Sequence, residues 1–347
     1  MIKFEIVKPE ASCHTLTEQL DSLYAQLPSN ILQVRIYLSD AANQWTVLAQ
    51  HPLFASRLAK TAWSCVEQPP IGMKVALQVL YADSMEGFKI EKPSDGVTVI
   101  SKGSMLYVFQ TVRYSNEEAA RMDDRMQTIT AFERHKEVLA QYGMNVRDHC
   151  HRTWIFVRDI DRHYAGMVQG RNEFFAENGL TAETHYIAST GIGGDSVERH
   201  PVVAIDFFSV KGLEQRDVKY LHATDYLNPT REYGVAFERA TQLNLPIGRT
   251  SFISGTASID KFGKCVHVGD VLTQAGRLFL NIEKLLEDGS QHLCDMKYMI
   301  VYLRDIADAG FVQQYLDVRF PNVPKLITSA RVCRPEWLIE VECIAVD

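Results

Sequence analysis

No apolar run in this chain of 347 residues approaches the roughly 20 residues that a membrane-spanning helix requires. The opening MIKFEIVKPE contains no apolar core, so a secretory leader is not expected and the cytoplasm is the expected location. Basic residues are in short supply. Lys and Arg number 36 against 43 Asp and Glu, a net charge of −7, which argues against a general nucleic-acid binder and leaves room only for a local basic pocket. Cysteines at metal spacing are missing too. The seven, at 13, 65, 150, 265, 294, 333 and 343, form no C-x-x-C, and an odd count without a framework fits reduced thiols in a cytosolic protein. His149-Cys150-His151 invites a zinc reading, yet along a strand only the two histidines share a face, and no second ligand pair follows. The sequence therefore makes no demand for a metal or an organic cofactor. Low-complexity segments and long Pro/Gly/Ser linkers are absent. What is present, 46% hydrophobic and 23% charged residues, is ordinary globular composition, with length for two or three structural units.

An internal repeat organises the chain. Three β-like runs end in a similar phrase: Val34 to Asp40, Thr153 to Asp159, and Met299 to Asp305. A helix-like stretch precedes each, over Thr15 to Leu27, Glu117 to Tyr142 and Val271 to Leu286. The third carries Leu278, Ile282, Leu285 and Leu286 on one stripe. Another helix follows each phrase, and then a second apolar strand: Lys74 to Ala82, Val202 to Val210 and Leu338 to Val346. β-rich stretches at 88–112 and 233–268 give the second and third units an opening hairpin, with turns expected at Pro93 to Gly96 and Asp260 to Gly263; the first unit lacks one. The expected architecture is α+β, three sheets each covered by two helices, with units at 1–83, 84–215 and 216–347.

The third unit, from about Phe237 onward, resembles a Rid (YjgF-type, chorismate-mutase-like) domain. The likeness rests on Phe252 to Ala257, Gly269-Asp270 with Gln274, Asn281-Ile282, Tyr302 to Asp305 and the last strand from Ile339. Rid proteins are trimers with pockets between neighbouring subunits, so three such units imply a chain that closes a pseudo-trimer on itself. The whole layout is similar to the chorismatase family. Arg152-Thr153-Trp154, Gly170-Arg171-Asn172, Ala188 to Gly194, Asn228-Pro229-Thr230, Glu232-Tyr233-Gly234 and Cys333 to Trp337 carry that similarity. It implies conversion of chorismate to pyruvate and either a cyclohexadiene diol or a hydroxybenzoate, with the active site in the third unit. Cys333 together with Gly255 resembles the branch that forms 3-hydroxybenzoate.

Beside the resemblance, the residues make their own case. With the three final strands aligned by their ends, Glu340 falls opposite Ala76 and Ala204, and Glu342 opposite Gln78 and Asp206. The 342 column is polar throughout, as a solvated or interface-capping position would be. The 340 column holds one carboxylate and two methyl groups. A lone carboxylate among apolar neighbours has its pKa raised, as a general acid near neutral pH requires; the competing reading is a structural ion pair with an arginine.

Cleaving chorismate's enol ether starts with a proton on the methylene carbon. The site then needs one neutral acid and fixed cations for two carboxylates, for which the planar fork of arginine is suited. Arg304 is the first candidate, Arg158 the second and Arg171 the third, each competing with a structural role. Cys333, flanked by Arg331 and Arg334, is read either as a thiol shifted toward thiolate or as a small buried hydrophobe. Gly255 would let the backbone approach the ligand. Ala188 to Asp195 lacks the signatures of nucleotide loops and reads as a plain turn or a pocket-lining loop, from which Tyr186 and Thr190 would donate hydroxyls.

Two other functions stay open. A Rid-type imine or enamine deaminase needs an arginine in the loop before the last strand, where Pro324-Lys325-Leu326 stands; Arg331 would have to replace it. A non-catalytic sensor of small molecules would leave the asymmetry at Glu340 without a role. The partner expected is a small molecule, with no nucleic acid and no membrane. A monomer is favoured, with an oligomer left open.

Overall fold

Side-chain caps open most of the helices. Thr15 and Glu18 form a reciprocal capping box at α1 (Leu16–Gln26), and Asp40 caps α2 (Ala41–Gln50). Ser115 starts the single turn α3 (Asn116–Ala119), and Asp123 starts α4 (Asp124–Gln141). The one helix expected over 117–142 is thus two, because Asp123 turns its side chain onto the Met126 N–H and begins a new helix. Then come α5 (Val146–His149), α6 (Ile160–Glu177), α7 (Val271–Asp288) and α8 (Ala309–Arg319).

The computed structural model describes residues 2–347 and is α+β, with three sheets. The first holds β1 (Ile2–Val7), β2 (Ile31–Leu38), β3 (Ala62–Glu67) and β4 (Val75–Ala82) in the order β1-β4-β2-β3. The second holds β5 (Phe88–Ser94), β6 (Val97–Lys102), β7 (Met105–Val112), β8 (Cys150–Val157), β9 (Ala188–Gly193) and β10 (Val203–Lys211), ordered β5-β6-β7-β10-β8-β9. The third repeats that order with β11 (Val218–Tyr220), β12 (Ala240–Leu245), β13 (Gly248–Ala257), β14 (Met296–Leu303), β15 (Lys325–Ser329) and β16 (Ile339–Val346).

Each sheet ends in a parallel pair, β2–β3, β8–β9 or β14–β15. These edge strands correct the reading of 188–195 as a turn or loop: Ala188–Gly193 is a strand beside β8. The third-unit hairpin also turns earlier than expected, between Leu245 and Gly248, while Asp260 to Gly263 closes the separate bridge Ile259↔Cys265.

Helices lie on one face of each sheet, as α7 does on β13 and β16. The other faces meet at the centre, where Tyr37, Phe156 and Tyr302, one from each sheet, are fully buried in one cluster. There β3 lies against β7, β9 against β13 and β1 against β14. No helix among the described residues is long and apolar enough to cross a membrane.

Candidate functional site

Strand register lines up the residues that differ between units. Ala76 pairs with Tyr37, Ala204 with Phe156 and Glu340 with Tyr302. Two residues further on, Gln78 pairs with Arg35, Asp206 with Trp154 and Glu342 with Ile300. Of the two expectations for this second column, solvated or interface-capping, the structure bears out the second: all three side chains are buried at the centre of the molecule, where the units meet. Asp206 binds Arg35 at 3.1 Å and Arg113 at 2.9 Å. Gln78 joins the hydroxyls of Tyr37 and Tyr298. Glu342 accepts from Arg152 at 2.7 Å and from the Trp154 indole at 2.9 Å. Buried charge is tolerated where each member meets an opposite charge or a donor.

Glu340 is 4% exposed. Burial and, after it, the charge of Glu342 push its carboxyl up to about 8, against the opposing pull of Arg152 and Arg239. Room for the carboxyl comes from the neighbouring strand. Pairing of β13 with β16 runs Ile253↔Cys343 and then Thr256↔Val341, so Ser254 and Gly255 bulge together opposite Glu342. A Cβ at 255 would collide with Glu340 Oε1 and lie 3.1 Å from Thr190 Cγ2. The Gly255 N–H is fixed by the Thr190 hydroxyl at 2.9 Å.

Beside Glu340 opens a cavity of about 310 Å³ between the second and third units, within the size range of small-molecule sites. Its floor is Gly255, Ala257 and Glu340; Tyr164 and Arg171 of α6 and Ser189 and Gly191 of β9 close one side, and Phe237, Arg239, Cys333, Arg334 and Trp337 the other. Three guanidiniums therefore line the cavity that holds this one carboxyl. Arg171 and Arg239 flank the ring of Phe237 at 5.8 and 5.4 Å, and Arg334 lies over Trp337 at 4.6 Å.

Glu340, Cys333, Arg171 and Gly255 are brought together here; the five other expected residues do not line the cavity. Arg304 forms a two-pronged pair with Asp161 at 2.7 and 2.8 Å and donates to the Val332 carbonyl. Arg158 faces Asp195 and the carbonyls of Glu198 and Arg199. Arg331 is exposed and reaches Asp159 and Asp161. All three line a separate cleft of about 490 Å³, because the strand ends that carry them converge on acidic partners away from Glu340. Tyr186 lines a further cavity of about 300 Å³ beyond Arg239. Thr190 sits behind the floor, its hydroxyl accepting from Gly255 and Arg152.

Cys333 is half-buried, and burial together with Glu340 pushes its thiol up to about 12, so of the two readings of this residue the small buried hydrophobe is favoured over the thiolate. Among the described residues no group of His, Cys, Asp and Glu is arranged to hold a metal ion. Arg239 was missed by the sequence reading, since it lies in the irregular stretch before β12, where no periodicity marks a face. Arg334 and Trp337 were within reach, inside the run Cys333 to Trp337.

No family model matches the chain. The 3-aminoacrylate deaminase RutC of Acinetobacter baylyi is 27% identical over 96 residues, 27% of this chain and 76% of that protein. A RutC family protein of Pyrococcus abyssi is 28% identical over 103 residues, 29% of this chain and 81% of its own. A solved chorismatase structure superimposes with a TM-score of 0.71 at 18% identity, covering 100% of this chain and 99% of the other. The three-unit Rid/YjgF-like architecture is therefore a fold that this chain shares, over its whole length, with a solved chorismatase.

Proposed function

We propose that this protein is a chorismatase that converts chorismate to pyruvate and 3-hydroxybenzoate. The observation that carries the reading is one buried, proton-holding carboxyl, Glu340, in a cavity ringed by Arg171, Arg239 and Arg334. Chorismate brings two carboxylates and an enol ether, and this arrangement complements both. The arginines take the carboxylates by charge-assisted hydrogen bonds. Glu340 delivers its proton to the methylene carbon, giving an oxocarbenium-like ether; the neighbouring ring hydroxyl then attacks the ring carbon that bears the ether, and that C–O bond breaks with its electrons leaving in pyruvate. Formation of hydroxybenzoate consumes no water overall, and aromatisation of the ring gives back the proton that Glu340 spent. Formation of the diol would consume one water.

Gly255 and Cys333 support the aromatic branch through the resemblance of these positions to that branch. The deaminase alternative loses its cation: Arg331, which would have to replace the missing arginine, pairs with Asp159 and Asp161 in the separate cleft. Both walls of the cavity come from one chain, so a monomer should suffice. The test is incubation of purified protein with chorismate, assay of pyruvate and chromatography of the second product. Pyruvate with 3-hydroxybenzoate is expected. Pyruvate with the diol would reassign the branch, and absence of pyruvate would overturn the reading.

A further inference from the structure

We infer that Glu342 and Arg152 are positioning residues for the catalytic acid: the Glu342 carboxylate, anchored by Arg152 on the same sheet face as Glu340, dictates which of the two carboxyls keeps the proton. The inference rests on the proposed role of Glu340.

The geometry is that of two carboxyls at positions i and i+2 of β16. Side chains at this spacing share one face of a strand, and both are almost fully buried, at 4% and 2% exposure. Two like charges this close and this dry do not both ionise readily. The direct donors break the tie. Arg152 gives one Nη to Glu342 at 2.7 Å and the Trp154 indole gives its N–H to the other oxygen at 2.9 Å. Arg152 is itself held in that direction by the Thr190 hydroxyl at 2.5 Å. The first unit contributes as well: Arg35, fully buried and paired with Asp206, brings Nη1 to 3.9 Å from Glu342. These donors all go to residue 342, and in the proposed arrangement the proton stays with residue 340.

Other groups face Glu340 from each neighbouring element. Tyr302 stands across on β14, Arg239 precedes β12, Cys333 lies before β16, and Tyr164, Arg171 and Arg334 look in across the cavity. Of the charges acting on Glu340, that of Glu342 has the largest effect, ahead of Arg152 and Arg239.

The test is the pH profile of chorismate turnover in Glu342→Gln and Glu342→Asp. Loss of the neighbouring negative charge should move the alkaline limb of kcat/KM down by about one pH unit, so activity at pH 8 falls about fivefold further than at pH 6. Glu342→Asp keeps the charge and should keep the limb, whatever it does to kcat. A purely structural role would alter rates without moving the limb of Glu342→Gln, and that result would overturn the inference. The double variant Glu342→Gln/Arg152→Gln removes a buried pair together and serves where the single variant fails to fold; its limb should move the same way, by less.

A measurement that needs no turnover separates this inference from the functional reading. The side-chain carboxyl carbon of Glu340, assigned by its loss in Glu340→Gln, can be titrated by NMR in 13C-glutamate-labelled native protein. Protonation that persists at pH 7 in native protein and titrates at lower pH in Glu342→Gln supports the inference even if chorismate proves not to be the substrate. A signal that titrates in the ordinary carboxylate range would overturn it.

Discussion

The contact of the first unit with the second and that of the second with the third are built to one plan, and only one of them opens. At the closed contact, β3 lies against β7. Thr111 pairs regularly with Asp206, and Arg113, next along, reaches Asp206 and the Cys65 carbonyl. The residue in the acid column is Ala204, and a cavity of about 20 Å³ beside Thr111 and Asp206 does not reach it. At the open contact, β9 lies against β13. The bulge at Ser254-Gly255 replaces the regular pairing, Ala257 stands where Arg113 stood, and Glu340 replaces alanine. An arginine traded for a methyl group, a side chain deleted at a bulge and a carboxyl added in the next strand make the difference between a packed contact and a cavity with an acid in it.

The most direct way to break the contrast is Glu340→Gln, which keeps shape but donates no carboxylic proton. Pyruvate release should fall by about 10²–10⁴-fold, while calorimetry should show chorismate still bound. The second is Gly255→Ala, which makes the open contact more like the closed one. The added methyl has no room beside Glu340, so turnover should drop by about tenfold or more from a displaced acid, and thermal melting should reveal an overpacking cost of about 1–3 kcal/mol.

A third experiment uses pH. Because the carboxyl must be protonated to act, kcat/KM should fall as pH rises through about 8. Stability should follow the same group. Its pKa in the folded protein lies above the unfolded value of about 4.3, so the folded chain holds the extra proton. The stabilising contribution is complete below the unfolded pKa and lost as pH climbs toward 8. Melting temperatures of native protein and Glu340→Gln, compared from pH 5 to 9, should diverge accordingly. The smallest effect expected is that of Cys333→Ala. Pyruvate release should persist, at about 1 kcal/mol of lost packing, while the second product shifts from the aromatic acid toward the diol on chromatography. An unchanged ratio would return Cys333 to a packing role.

Much of this contrast is written in a period of two. The alternation of a strand is strict, so the Ala, Ala, Glu column could be found by aligning strand ends, and register confirms that those three residues are equivalent. The parallel edge strands were harder to see. Ala188–Gly193 is made of small residues that signal a turn as readily as a strand, and β15 is five residues long. The cations were the least legible. Arg304 and Arg158 end inner strands beside the right sheet, but a strand end does not say which neighbour waits there, and Asp161 and Asp195 do. The arginines that reach the cavity come from a helix of another unit and from two irregular segments, and their convergence is settled only by how the units dock.

The bulge and the single carboxylate bear on why three units are joined in one chain. In a ring of three identical chains every substitution is made three times. A glutamate in the inner column would then appear as three buried carboxyls around one axis, each raising the cost of the others. Joined end to end, the copies become free to diverge. One can sacrifice packing for reactivity while its siblings keep their methyl groups and hold the scaffold together, so covalent linkage turns a symmetric assembly into one with a division of labour.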